Sequence, residues 1–194
     1  MNALQHLRPA VMMVVLFTLL TGLAYPLAVT GLAQLALPYQ AGGSLVRDAG
    51  GEVRGSALIA QGFTGAGYLH PRPSAAGTNG YDATSSAGSN LGPMDKKLAD
   101  RVAGDAKLLA AEAPGPIPAD AVTTSGSGLD PDISPENAAR QAARIAAARG
   151  MGANAVQAII ARYTEAPALG FIGQPRVNVL LVNRALDQAH PIAR

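Results

Sequence analysis

From Pro9 to about Leu32 apolar residues follow one another with only Thr18, Thr21, Tyr25 and Thr30 between them, and no charged side chain lies between Arg8 and Arg47. A helix of about 23 residues rises roughly 34 Å, enough to cross a hydrocarbon core of about 30 Å. A single span must bond its peptide groups internally, so the pattern predicts a transmembrane helix over 9–33, with Pro26 as a point where it can kink. A cleaved signal peptide is the alternative, since Gly31-Leu32-Ala33 offers small residues for cleavage; the length of the apolar run favours a retained anchor. Arg8 precedes the span, whereas Arg47 and Asp48 beyond it offset each other. That asymmetry predicts a cytoplasmic N-terminal stub, residues 1–8, and an extracytoplasmic domain, residues 34–194. Thr18 and Gly22 are small residues four apart and form a candidate packing face for another membrane helix.

Beyond the span the pattern becomes that of a soluble domain. Ser44-Leu45-Val46 and Ala57-Leu58-Ile59, separated by Asp48-Ala49-Gly50-Gly51, predict a hairpin. Residues 71–93 are dominated by Gly, Ser, Ala, Asn and Pro and read by composition as a linker, yet Tyr81 and Leu91 punctuate them. Helical spacing predicts helices over about 94–112, from Ser134-Pro135-Glu136 to Gly150, and over about 154–163. The β-branched run Val177 to Val182 predicts a strand. Together these elements predict an α+β domain following one N-terminal transmembrane helix.

Composition narrows the chemistry. Among 194 residues there is no cysteine, so disulfides, thiolate metal sites and a cysteine nucleophile are excluded. The formal charge of +2 shows no concentrated basic stripe, which argues against nucleic acid. Ser125-Gly126-Ser127-Gly128 is glycine-rich but no lysine follows it; its amides can form an anion nest or simply a turn. Asp130, Asp132, Ser134 and Glu136 alternate like calcium ligands but lack the required glycine, and His6, His70 and His190 are too scattered for a metal site. Arg72, between Pro71 and Pro73, and Arg176, after Pro175, present guanidinium groups on stiff backbone, suited to docking a partner or to pinning their own loops. No nucleophile–base set is assembled, so no catalytic residue is assigned.

Several of these runs, taken in order, resemble the C subunit family of the bacterial high-affinity potassium-transporting P-type ATPase, the Kdp system. They are Tyr68 to Ala75, Tyr81-Asp82, Ser86 to Pro93, Val122 to Pro135 and Gly173 to Leu180. The chain departs from the family pattern at Asp132, where histidine is frequent, and at Gln174, where glutamate is. The resemblance implies a non-catalytic subunit of an inner-membrane complex with a potassium-binding pore subunit, a P-type ATPase subunit and a small fourth subunit. It implies an ordered 71–93 loop and no intrinsic cofactor. It also implies a catalytic-chaperone role that raises ATP affinity in a ternary complex, with Gln141 as the position for nucleotide contact. An extracytoplasmic domain cannot reach cytoplasmic ATP, and it would instead cover the outer mouth of the pore subunit. The candidate contact residues are therefore Arg72, Ser125, Gly126, Ser127, Gly128, Asp130, Gln141 and Arg176. The alternative is a stand-alone, membrane-tethered periplasmic module binding a cation or a nucleotide.

Overall fold

The computed structural model describes residues 3–192; Met1, Asn2, Ala193 and Arg194, at the ends of the expected stub and domain, lie outside the described residues. The chain divides into two compact units, Met1–Leu45 and Val46–Arg194.

The first unit is helical. α1 (Ala3–Leu19) runs into a π-helical turn (Leu20–Ala24) and on into α2 (Tyr25–Ala36), followed by the short α3 (Pro38–Ala41). The stretch His6–Ala36 is long and apolar enough to cross a membrane, and none of its most apolar window is buried within the chain. Pro26 has no N–H to give. The ladder accommodates it by widening one turn earlier, where the Tyr25 N–H bonds to the Leu20 carbonyl. Thr18 and Gly22 flank the start of this turn and are exposed in the isolated chain.

The second unit starts within the expected hairpin, which is formed by β1 (Leu45–Arg47) and β2 (Val53–Ser56). Its second strand lies earlier than Ala57-Leu58-Ile59, because Asp48 closes the turn: its Oδ1 accepts from the Gly50 and Glu52 amides, both at 2.9 Å. α4 (Lys96–Glu112) is capped by Asp95 and buries no residue. β3 (Asp132–Ile133) leads into α5 (Pro135–Arg149), whose Ser134 cap, Pro135 first turn and left-handed Gly150 end are those the sequence marks. α6 (Ala153–Arg162) packs against α5, whose Ala138, Ala142 and Ala146 allow close approach. β4 (Thr164–Glu165) and β3 flank β5 (Arg176–Asn178) in an antiparallel sheet of order β3-β5-β4, with Val177 opposite both Ile133 and Thr164.

The expected strand over Val177–Val182 is corrected. Only Val177 and Asn178 of it are strand; α7 (Val179–Ala189) begins at once, because the Asn178 side chain accepts from the Leu181 amide and caps it. Val179, Val182, Asn183 and Leu186 then face the core at helical spacing. The core joins Leu69, Ile133, Ile145, Val156, Val177 and Leu186, between the small sheet and helices α5 to α7.

The 71–93 segment is tied down rather than free. Ser74 Oγ donates to the Gly128 carbonyl at 2.6 Å and accepts from the Ala76 and Tyr81 amides at 3.1 and 2.8 Å. Tyr81 Oη donates to the Arg72 carbonyl.

Candidate functional site

Four stretches distant in sequence converge on a cleft of about 920 Å³. The Pro71-Arg72-Pro73 segment supplies Arg72. The run Pro114 to Asp120, ending in a 3₁₀ turn, supplies a wall of prolines with Ile117. The 130–136 segment supplies Asp130, Asp132 and Ile133, and the entrance to β5 supplies Gln174, Pro175 and Arg176. Proline predominates because it fixes backbone direction without adding a donor that would need a partner.

The charged groups are ordered by one another. Arg72 Nη1 donates to Asp130 Oδ2 at 2.9 Å, and its Nε and Nη2 reach the Thr123 carbonyl and Oγ1 at 3.3 and 3.4 Å. Asp130 Oδ1 in turn accepts from the Asp132 amide at 3.1 Å. Arg176 bridges Asp132 Oδ2 at 3.2 Å and Glu165 Oε2 at 2.5 Å, yet stays about half exposed, at 55%. Asp120 gathers the mouth of α5, accepting from the Ser134 amide and hydroxyl, both at 2.8 Å, and from Asn137 Nδ2 at 3.0 Å. Arg140 crosses from α5 to the end of α4, where it donates to the Leu109 and Ala113 carbonyls and to those of Pro114, Gly115 and Pro116. A cation there satisfies the orphan carbonyls of the helix terminus and holds the proline wall in place.

Burial pushes the Asp132 carboxyl above the ordinary carboxylate range; Arg176 pulls it back and Asp130 pushes it up again. The folded chain therefore holds this proton more tightly than the unfolded chain does. The contribution favours folding below the unfolded value and is lost as pH rises from 3.8 through the raised folded value. Asp132→Asn is expected to remove that loss, so urea unfolding should show the variant gaining on the wild type as pH rises through this window. A constant difference between the two would refute it.

The expected contact residues separate into three groups. Arg72, Asp130 and Arg176 meet in the cleft. Ser125, Gly126, Ser127 and Gly128 do not line it; they form a spine against which the 74–88 loop is laid. The Ser127 carbonyl accepts from the Ala87 amide and from Ser86 Oγ, both at 2.9 Å. Gly128 sits at φ +68 with the Ala87 carbonyl and Ala76 amide only 2.5 and 2.7 Å from where a Cβ would stand. Gly128→Ala is expected to cost at least about 2 kcal/mol from backbone strain and overlap, while Gly126→Ala, which meets nothing within 4 Å, should be near neutral; thermal unfolding of the two variants checks this.

Gln141 lies beneath the Tyr68–Ala75 run at His70, 9% exposed. Its Oε1 accepts from the His70 amide at 2.8 Å and from Arg144 Nη2 at 2.7 Å, and its Nε2 donates to the His70 carbonyl and Asn137 Oδ1, both at 3.2 Å. The side chain is fully engaged in holding the loop. Sequence reasoning missed Asp120, Arg140 and the 114–118 wall. Only the i, i+4 pair Arg140 and Arg144 on α5 hinted that one helix face reaches across to other segments. Among the described residues no group of three or more His, Asp or Glu could hold a metal ion.

A family model described as KdpC, K+-transporting ATPase, c chain, matches residues 7–188. The chain belongs to the KdpC family. The match spans both units, including the apolar helix. Curated relatives carry the description potassium-transporting ATPase KdpC subunit. One from Caulobacter sp. (strain K31) is 64% identical over 189 residues, covering 97% of this chain and 96% of that protein. One from Rhodospirillum rubrum is 54% identical over 195 residues, covering 98% and 99%. One from Myxococcus xanthus is 58% identical over 172 residues, covering 87% and 81%. Both the helical unit and the cleft-bearing domain therefore belong to the KdpC pattern.

Proposed function

We propose that this chain is the membrane-anchored, non-catalytic accessory subunit of an ATP-driven potassium uptake complex. Its span holds it in the inner membrane with the N-terminus cytoplasmic and the domain extracytoplasmic. There it assembles with the pore, ATPase and small subunits and covers the pore subunit's outer mouth. The observation that carries this reading is the family match across span and domain together, residues 7–188. The cleft supplies the contact: apolar proline walls for an extended segment of a partner, and the half-exposed Arg176 guanidinium for its carbonyls or carboxylates.

The catalytic-chaperone role is not part of this proposal. Gln141, the residue that would contact nucleotide, has both amide atoms bonded inside the domain, and the proposed orientation puts the domain across the bilayer from ATP. Nothing observed favours a stand-alone binding module. The test combines C-terminal alkaline phosphatase and fluorescent-protein fusions with copurification. Phosphatase activity and copurification with two larger membrane subunits are expected. Gln174→Trp, which places bulk at the cleft without breaking any ion pair there, should weaken copurification and potassium-stimulated ATPase activity together. A cytoplasmic C-terminus, or intact activity without this chain, would overturn the reading.

A further inference from the structure

Between β4 and β5 the chain runs from Ala166 to Gln174 without a charged residue, and its tip carries Leu169, Phe171 and Ile172 at 82%, 77% and 53% exposure. The domain leaves Leu169 and Phe171 largely uncovered and covers only about half of Ile172. The tip is nevertheless well ordered by its own backbone. Ala168 and Ile172 exchange both hydrogen bonds at 2.9 Å, the Gly170 amide reaches the Pro167 carbonyl at 3.0 Å, and the Phe171 amide reaches the Ala168 carbonyl at 3.3 Å. Leu169 is held at φ +54, in the left-handed region where a bulky side chain is strained. A strained leucine pointing into water adds nothing to the folded domain, so its benefit lies outside it.

We propose that this tip inserts into the interfacial layer of the bilayer, as a second membrane contact beside the chain's own span. The inference rests on the anchoring reading above, though on neither the orientation nor the complex. Lipid is favoured over a protein surface because a convex tip leaving water for the interfacial layer must carry most of its amide hydrogens already bonded, and the amides of Ala168, Gly170, Phe171 and Ile172 are bonded within the tip. Its pattern of Leu, Phe and Ile around glycine, with the nearest charges, Glu165 and Arg176, paired at its base, is that of an apolar wedge on a neutralised stalk. Only the short run 37–44 separates the last residue of α2 from β1. Even fully extended it reaches at most about 28 Å, so the bilayer surface is always at high effective concentration and a weak insertion is populated.

The absence of cysteine makes the test direct. Single variants Leu169→Cys, Phe171→Cys, Ala103→Cys on α4 and Leu16→Cys in the span are labelled with an environment-sensitive fluorophore in the full chain, reconstituted in phosphatidylcholine–phosphatidylglycerol vesicles. Labels at 169, 171 and 16 should shift to the blue and lose intensity when brominated lipid is included; the label at 103 should do neither. Quenching at 16 with none at 169 and 171 overturns the tip proposal alone. No quenching at 16 overturns the anchoring reading and this inference with it. Tip labels that are shielded only when the partner subunits are added show a protein contact, and also overturn it.

Discussion

Replacing Asn183 with alanine lowers the unfolding free energy by about 2–5 kcal/mol, as much as truncating a core leucine. Asn183 is 1% exposed on the inner face of α7. Its Oδ1 accepts from the Leu69 amide at 2.7 Å and its Nδ2 donates to the Leu69 carbonyl at 2.9 Å, so one side chain satisfies both backbone groups of a fully buried residue. Alanine leaves that amide and carbonyl in a dry core, where no water replaces the lost bonds, and the desolvation penalty of each is felt in full. Leu69 belongs to the segment that leads into Arg72, so the loss also loosens one wall of the cleft. Urea unfolding of the full chain in mild detergent, followed by circular dichroism, measures the effect. A loss below about 1 kcal/mol would mean that the segment finds other partners.

Arg149→Met comes second, at about 2–3 kcal/mol, with the hydrocarbon stem retained so that packing changes little. The Arg149 side chain is 0% exposed. Its Nε donates to the Gly67 carbonyl at 2.6 Å, its Nη1 to the His190 carbonyl at 2.7 Å and its Nη2 to Asp187 Oδ1 at 2.8 Å, while its guanidinium carbon lies 4.9 Å from the Tyr68 ring centre. One planar group thus joins the end of α5, the end of α7 and the 65–70 turn. The global loss is moderated because Asp187 is itself partly exposed and can be solvated. Hydrogen exchange should localise the damage, with amides of the last turn of α7 and of residues 65–70 speeding up more than those of α6. Uniform acceleration would argue against a joint of this kind.

Both residues belong to the part of the architecture that sequence patterns conceal. The membrane helix was legible because hydropathy acts over many consecutive positions. α5 was legible because Ser134, Pro135 and Gly150 each have a local reason to stand at a helix end. The Val177–Val182 run misled because β-branched residues suit a buried helix face as well as a strand, and the side chain of Asn178 decides between them. The cleft was half legible. Pro71-Arg72-Pro73 and Pro175-Arg176 drew notice singly, but only long-range pairing of β3 with β5 brings Asp132 beside Arg176. Gln141, Arg149 and Asn183 clamp backbone atoms, and a carbonyl or amide offers no residue type for a pattern to match. The same holds for the Ser125–Gly128 run, whose composition suggests an anion nest while its partners are peptide groups of the neighbouring loop.

The π-helical turn at Leu20–Ala24 has a consequence for whatever lies alongside the anchor. One additional residue in that turn offsets everything after it by about 100° relative to an uninterrupted α-helix. A helical wheel drawn through the whole span therefore merges two surfaces that point in different directions. A neighbouring helix that follows Met12, Leu16 and Leu19 on one leaflet side meets, past Pro26, a stripe displaced by one position from the one the wheel assigns. Cross-linking scans should consequently show their periodicity break phase at this turn.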